Sequence, residues 1–253
     1  KMGLDTISPF TTNKDWIRNT PYRAWHWKER TIQSDAEYAA LILSMDENVG
    51  KVLDYLKKEG LYDNTVVCLV SDNGGLSTAE GSPTSNFPLR GGKGWLYEGG
   101  IRVPYIIKAP YMKGSAGICR TPVSSTDFYP TILELTGATL KPCQHKDGVS
   151  LVPLLKGDTV FDRGAIYFHY PHYGGKGDSP AGAIRKGDYK LIWFYEDDHI
   201  ELYNLKMDIS EKENLAETQK ERALSLQKEL REWLCSCAAK MPVYNPDYKG
   251  IKY

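Results

Sequence analysis

The chain has 253 residues, 41% of them hydrophobic and 25% charged, which is ordinary for a globular protein with a sizeable core. Its 32 basic and 32 acidic residues cancel, which argues against a nonspecific binder of nucleic acid or membrane surfaces. No apolar run is long enough for a transmembrane helix, and KMGLDTISPF lacks the apolar core of a secretory signal. The five cysteines form no C-x-x-C pair, so a structural zinc site is not expected.

A long amphipathic helix is predicted from Ser34 to Gly60. The spacing of Ser34 and Glu37 is typical of a capping box, apolar residues follow at helical spacing, and Gly60 suits a left-handed cap. The next run, TVVCLV at residues 65–70, is apolar throughout. Such a run is typical of a central strand covered on both faces in a parallel sheet.

Two shorter elements follow. The run IRVPYIIKAP, residues 101–110, predicts a strand that begins near a proline. STDFYPTILELTG, residues 125–137, predicts a short helix with Asp127 as its N-cap and Gly137 as its end.

The pattern changes after about residue 160. Apolar and aromatic β-rich runs predict a small antiparallel sheet, with a tight turn at Gly187–Asp188 and a final helix over about 215–238. We therefore predict an α/β domain at residues 1–160 and a smaller subdomain of antiparallel sheet and helix at residues 161–253.

Asp72 and Asn73 follow the predicted strand directly, at the edge where open α/β sheets bind ligands. Carboxylate and amide oxygens suit calcium or magnesium, although calcium needs about six to eight oxygens and so further ligands from elsewhere. The alternative is an Asx turn that ends the strand.

Lys93 lies in the glycine-rich stretch PLRGGKG. Neighbours without side chains would let this lysine project into a cleft beside backbone amides, an arrangement that suits the oxygens of sulfate or phosphate. The alternative is a solvated loop lysine.

His169 and His172, in YFHYPHYGG, are candidates for contact with an anionic or sugar substrate. The alternative is a histidine whose hydrogen bonds are satisfied within an aromatic strand. Arg185 is a third candidate for substrate binding, and its alternative is a surface cation near a turn.

The chain resembles the sulfatase family over about residues 30–235, a range that holds the candidate residues above. The resemblance rests on these stretches in this order: YAALILSMDENVGKVLDYLKKEGLYDNTVVCLVSDNGG, NFPLRGGKGWLYEGGIRVP, SSTDFYPTILELTG, DGVSLVPLLKG, AIRKGDYKLIWFY and ELYNLKMDISEKENLA. It implies an alkaline-phosphatase-like α/β fold: a partly parallel sheet flanked by helices, then a small antiparallel sheet with a long helix.

The resemblance also implies an activity, the hydrolysis of sulfuric esters such as sulfated carbohydrates or aryl sulfates with a divalent cation, usually calcium. Asp72 and Asn73 match metal ligands of the family, and Lys93 matches the lysine that contacts the sulfate group. The family also implies a periplasmic, secreted or lysosomal-type compartment.

One family feature is missing from the sequence. Sulfatases attack with a formylglycine made from the first residue of C/S-x-P/A-x-R, and no cysteine or serine here stands in that motif. The family's upstream metal and histidine motifs are not recognisable in residues 1–33 either. We therefore expect the chain to correspond to the C-terminal half, to be inactive alone and to self-associate through an unpaired sheet edge.

Two other functions stay open at this point. One is a phosphate-ester hydrolase or phosphotransferase of the same superfamily. The other is a non-catalytic module that binds sulfated glycans through the β-rich region.

Overall fold

The computed structural model describes residues 10–11, 28–78, 81–110, 112, 117–158, 161–175 and 178–247. Their helices and strands are, in chain order, β1 (Phe10–Thr11), β2 (Glu29–Arg30), α1 (Ala36–Lys58), β3 (Val67–Val70), α2 (Glu98–Ile101), β4 (Tyr105–Lys108), α3 (Phe128–Leu135), α4 (Val152–Leu155), β5 (Ile166–Tyr170), β6 (Ala181–Lys186), β7 (Tyr189–Phe194), β8 (His199–Asn204) and α5 (Lys220–Ser236). Within the described part of the chain, no helix combines the length and apolarity that a membrane crossing requires.

The described residues form two compact units that are discontinuous in sequence. The sheet unit draws on residues 1–39, 72–103 and 167–253, and the helix unit on residues 40–71 and 104–166. The predicted division between residues 160 and 161 stays a prediction.

In the helix unit, β3 pairs antiparallel with β4, from Val67 opposite Lys108 to Val70 opposite Tyr105. The prediction of a strand buried on both faces in a parallel sheet is wrong at β3, where Leu69 and Val70 remain 40% and 41% exposed. The described residues place β3 in a two-stranded ribbon, which has too few neighbours to cover both faces. The expected self-association through an unpaired edge stays a prediction.

The long helix α1 forms where its periodicity predicts it, and Gly60 adopts the expected left-handed conformation with φ of 68°. Its predicted capping box is wrong. Asp35 Oδ1 accepts the hydrogen bond from Tyr38 N at 2.9 Å, whereas Ser34 Oγ accepts one from Arg30 Nη1. The cap thus lies one residue later than predicted, and Arg30 contacts both Ser34 and Asp35.

Asp127 occupies the N-cap position of α3, as predicted, but its side chain makes no capping hydrogen bond to that helix and organises the surrounding loops instead. Its buried carboxylate accepts hydrogen bonds from Ser124 N at 2.7 Å and Val149 N at 3.0 Å. It also accepts two from the guanidinium of Arg163, each at 2.8 Å. The carboxylate thus joins three segments that are far apart in sequence.

The sheet unit contains a four-stranded sheet in the order β5-β6-β7-β8, and β7 pairs antiparallel with both β6 and β8. Gly187, with φ of 56°, makes the predicted tight turn between β6 and β7. Helix α5 packs on the sheet through buried apolar side chains, namely Ala223, Leu226, Leu230 and Leu234. The prediction of a small antiparallel sheet with a long C-terminal helix is confirmed.

Candidate sulfate and metal site

Two loops of the sheet unit meet where the sequence places its candidate residues. One is the metal loop, residues 72–78, and the other is the lysine loop, residues 90–98. Lys93 N donates a hydrogen bond to Gly75 O at 3.1 Å, and Gly74 N donates one to Gly100 O at 2.9 Å. These two bonds bring the backbone of Lys93 next to the segment that carries the candidate metal ligands.

The glycines of this region serve the contact between the two loops. A Cβ built on Gly74 would lie 1.7 Å from Gly99 O, and one on Gly92 would lie 2.4 Å from Gly75 O. A Cβ on Gly100 would also overlap backbone. Backbone therefore packs directly on backbone at these glycines, where any side chain would overlap it.

Asp72 and Asn73 present oxygen ligands at one end of this contact. Asp72 Oδ1 accepts a hydrogen bond from Asn73 N at 2.9 Å, and Asn73 Nδ2 donates to Gly74 O at 2.9 Å. Because the amide nitrogen of Asn73 bonds to the backbone, its cation ligand would have to be Oδ1. The side-chain oxygens of Asp72 and Asn73 suit calcium, which prefers hard oxygen ligands, but they supply only part of its coordination shell.

A complete protein-derived metal site is not seen in the described ranges. No group of three or more His, Cys, Asp or Glu side chains there is arranged to hold a metal ion. The assignment of Asp72 and Asn73 as metal ligands therefore stays a prediction, and further ligands would have to come from elsewhere.

Lys93 combines a fixed backbone with an exposed side chain. Its amide is held by Gly75 O, while the neighbouring Gly92 and Trp95 are buried. The side chain thus reaches solvent from a fixed loop, where an anion can approach it. The contact with a sulfate group stays a prediction.

The three substrate-binding candidates lie in or next to the four-stranded sheet. His169 uses both ring nitrogens, with Nδ1 2.8 Å from Tyr195 Oη and Nε2 3.0 Å from Lys240 O. The His172 ring lies 4.1 Å from that of Tyr170, centroid to centroid. Arg185 donates to the carbonyls of its own hairpin turn. Their roles in substrate binding stay predictions.

Buried charged side chains form a network against the lysine loop, and no local sequence pattern predicts it. At the start of the loop, Arg90 is buried, and its guanidinium lies 3.9 Å from the centroid of the Tyr97 ring. Arg90 Nη1 donates to Tyr203 Oη and to Glu211 O, each at 2.9 Å. The loop is thereby attached to β8 and to the turn that follows it.

The end of the loop is attached in the same way. Lys190 Nζ, fully buried in β7, lies 3.0 Å from Glu98 Oε1 and 2.5 Å from Glu211 Oε1. It also donates to Leu96 O at 2.9 Å. Glu98 N in turn donates to Glu211 Oε2 at 2.6 Å. One lysine and two carboxylates thus fix the last residues of the loop.

Glu201 completes the network between the two ends. Its Oε2 accepts hydrogen bonds from Tyr97 Oη and Tyr203 Oη, each at 2.8 Å. Burial alone would raise the pKa of Glu201, but contacts with His199, Arg90 and the two hydroxyls lower it below the usual value. Glu201 is therefore ionised at neutral pH and balances the charge of Arg90.

Glu29 in β2 gives the lysine loop a dependence on pH. Its Oε1 accepts a hydrogen bond from Gly91 N at 3.1 Å. Burial raises the pKa of Glu29 to about 7, against the opposing effects of that hydrogen bond and of Arg90. Since this folded-state value exceeds the unfolded one, the stability that Glu29 contributes is present below about pH 4.5 and is lost as pH rises through about 7.

We expect the free energy of unfolding to fall by up to about 3 kcal/mol from this group between about pH 5 and pH 8. Urea unfolding across that range would measure it, and Glu29→Gln should make the profile less steep. Part of the slope should remain, because burial also raises the pKa of Glu211 to about 7. Glu59→Gln, at an exposed position after α1, is the control and should leave the profile unchanged. Equal slopes in the wild type and Glu29→Gln would contradict the prediction.

Comparisons with known proteins agree with the resemblance seen in the sequence. Residues 6–138 match the family Sulfatase, and residues 91–240 match the family N-sulphoglucosamine sulphohydrolase, C-terminal. A sulfatase from Formosa agariphila is 36% identical over 87% of this chain and 43% of its own length. N-acetylglucosamine-6-O-sulfatase from Bacteroides thetaiotaomicron is 33% identical over 88% of this chain and 38% of its own length.

The fold is shared as well. The crystal structure of Ps i-CgsB in complex with k-i-k-neocarrahexaose has a TM-score of 0.69 and 32% identity, over 82% of this chain and 44% of that chain. The chain thus spans about two fifths of the relatives that it matches. The predicted alkaline-phosphatase-like fold class is confirmed, and the chain belongs to the sulfatase family.

Proposed function

We propose that this chain contributes the sulfate-binding lysine and part of the cation site of a sulfuric ester hydrolase. The observation that carries the proposal is the hydrogen bond from Lys93 N to Gly75 O. It holds the backbone of Lys93 beside the loop of Asp72 and Asn73. One small anion could then contact both the Lys93 ammonium and a cation bound by that loop. Family membership supplies the reaction class.

The proposed roles follow from where charge develops when the S–O bond breaks. The Lys93 ammonium would neutralise sulfate oxygens and stabilise the transition state. Asp72 and Asn73 Oδ1 would hold a divalent cation, with calcium as the family expectation. Such a cation, when bound, supplies Lewis-acid polarisation of the sulfate group.

A sulfated carbohydrate is the substrate class that the relatives support. One relative is an N-acetylglucosamine-6-O-sulfatase, and one solved structure contains k-i-k-neocarrahexaose. Since no cysteine or serine of this chain stands in the formylglycine motif, we propose that the chain alone does not turn over sulfate esters. Its compartment stays an expectation from the family.

Ligand titrations followed by amide NMR test the proposal. We expect sulfate to shift the amides of residues 91–94 and calcium to shift those of residues 72–75. Lys93→Ala should weaken sulfate binding by at least about tenfold, since it removes a charged hydrogen-bond donor. Asp72→Ala should weaken calcium binding similarly. The exposed Lys51→Ala and Asp54→Ala variants are matched controls and should bind like the wild type.

The same titrations separate the competing functions. Shifts that map away from both loops would contradict the proposal. Tighter binding of phosphate than of sulfate would favour a phosphate-ester enzyme. Binding of a sulfated oligosaccharide that survives both Asp72→Ala and Lys93→Ala would favour a non-catalytic glycan-binding module.

A further inference from the structure

Residues of the C-terminal sheet hold the lysine loop in place, and the proposed chemistry does not use them. Lys190, Glu201 and Glu211 come from β7, β8 and the turn after β8, and all three are buried. They contact residues 90 and 96–98, which flank Lys93 on both sides. The position of Lys93 therefore depends on groups far from it in sequence.

Lys190 attaches the end of the lysine loop. Its Nζ reaches the backbone of the loop at Leu96 O and the side chains of Glu98 and Glu211. Glu211 closes the ring, because its second oxygen accepts the hydrogen bond from Glu98 N. The end of the loop is thus fixed through the backbone of Leu96 and Glu98 and through the side chain of Glu98.

We propose that Lys190 and Glu211 are positioning residues that place Lys93 for its contact with sulfate. The role of Lys93 in sulfate binding rests on the proposed function. The attachment of the lysine loop by Lys190 and Glu211 can be measured independently of it. Placement of this kind matters because a displacement of about 1 Å in a binding or catalytic group can cost about a hundredfold in rate.

The electrostatics explain why loss of Lys190 would release the loop. Without its ammonium group, Glu98 would keep only the half-exposed Arg102, 3.5 Å from its second oxygen, and Glu211 would lose the cation that contacts it. One of them would have to take up a proton or move towards water. Movement of Glu98 carries the end of the lysine loop with it and strains the bond from Lys93 N to Gly75 O.

Amide hydrogen exchange and sulfate titration of the Lys190→Met chain test this inference. We expect exchange at the Lys93 amide to rise at least about tenfold relative to the amides of β7 and β8. Sulfate affinity should fall at least about tenfold, although Lys93 is intact. Glu211→Gln keeps an oxygen for Glu98 N but removes the charge, and should show the same pattern more weakly even if Lys190→Met does not fold.

Leu230→Ala is the control, because it removes a fully buried side chain of α5 that lies outside the charge network. It should lower stability without selective exchange at Lys93. A uniform rise in exchange for Lys190→Met and Glu211→Gln, or unchanged sulfate affinity, would overturn the inference. A wild-type chain without any sulfate response would instead refute the proposed function, while the exchange data would still show whether Lys190 holds the loop.

Discussion

Replacement of Gly74 by alanine is expected to force the metal loop away from α2, the short helix at the end of the lysine loop. The added Cβ would lie 1.7 Å from Gly99 O and 3.0 Å from Gly100 Cα, and backbone atoms cannot rotate away as a side chain would. We expect a loss of about 3 kcal/mol or more in the free energy of unfolding. Urea unfolding would measure the loss, and NMR should show that Lys93 N no longer bonds to Gly75 O.

Gly50→Ala provides the matched control for this substitution. Gly50 lies within α1, and a Cβ built on it meets no atom within 4 Å. Alanine there should stabilise the protein by about 0.5–1 kcal/mol, because glycine is unfavourable inside a helix. Equal tolerance of Gly74→Ala and Gly50→Ala would contradict the close packing of Gly74 against Gly99 and Gly100.

Asp127→Asn is expected to destabilise the helix unit by about 3–5 kcal/mol. The amide cannot accept all four hydrogen bonds that the carboxylate accepts, and it leaves the buried guanidinium of Arg163 without its counter-charge. Circular dichroism during urea unfolding would measure the change.

Asp54→Asn tests the same chemical change on the surface. Asp54 pairs with Lys57 one turn along α1, and both side chains are more than half exposed. Its loss should cost at most about 0.5 kcal/mol. Similar costs for Asp127→Asn and Asp54→Asn would show that the buried pair does not hold the loops of this unit together.

The sequence predicts where helices and turns lie better than it predicts which strands pair with each other. Helical spacing and Gly60 locate α1, and the turn at Gly187 locates the hairpin of β6 and β7, because these signals are local. The run at residues 65–70 does not reveal how many strands flank β3. An apolar run of this length has the same pattern with one neighbouring strand as with several.

In the candidate site, the sequence likewise predicts the residues that stand in short motifs and misses those that pair over long distances. Asp72, Asn73 and Lys93 stand in short motifs, so the family resemblance identifies them. Lys190 stands in YKLIWF, where nothing marks it as a buried cation, and its partner Glu98 is 92 residues away in the chain. Pairing over that distance is decided by tertiary packing, which a local pattern does not record.

The attachment of the lysine loop to the C-terminal sheet limits how related proteins can exchange segments. A recombinant that took the sheet from one parent and the loop from another would combine a cation and carboxylates selected in different backgrounds. Breakpoints between Arg90 and Glu211 would therefore be disfavoured, and the stretch between them should be inherited as a block. Chimeras designed from this family should place their junctions outside it.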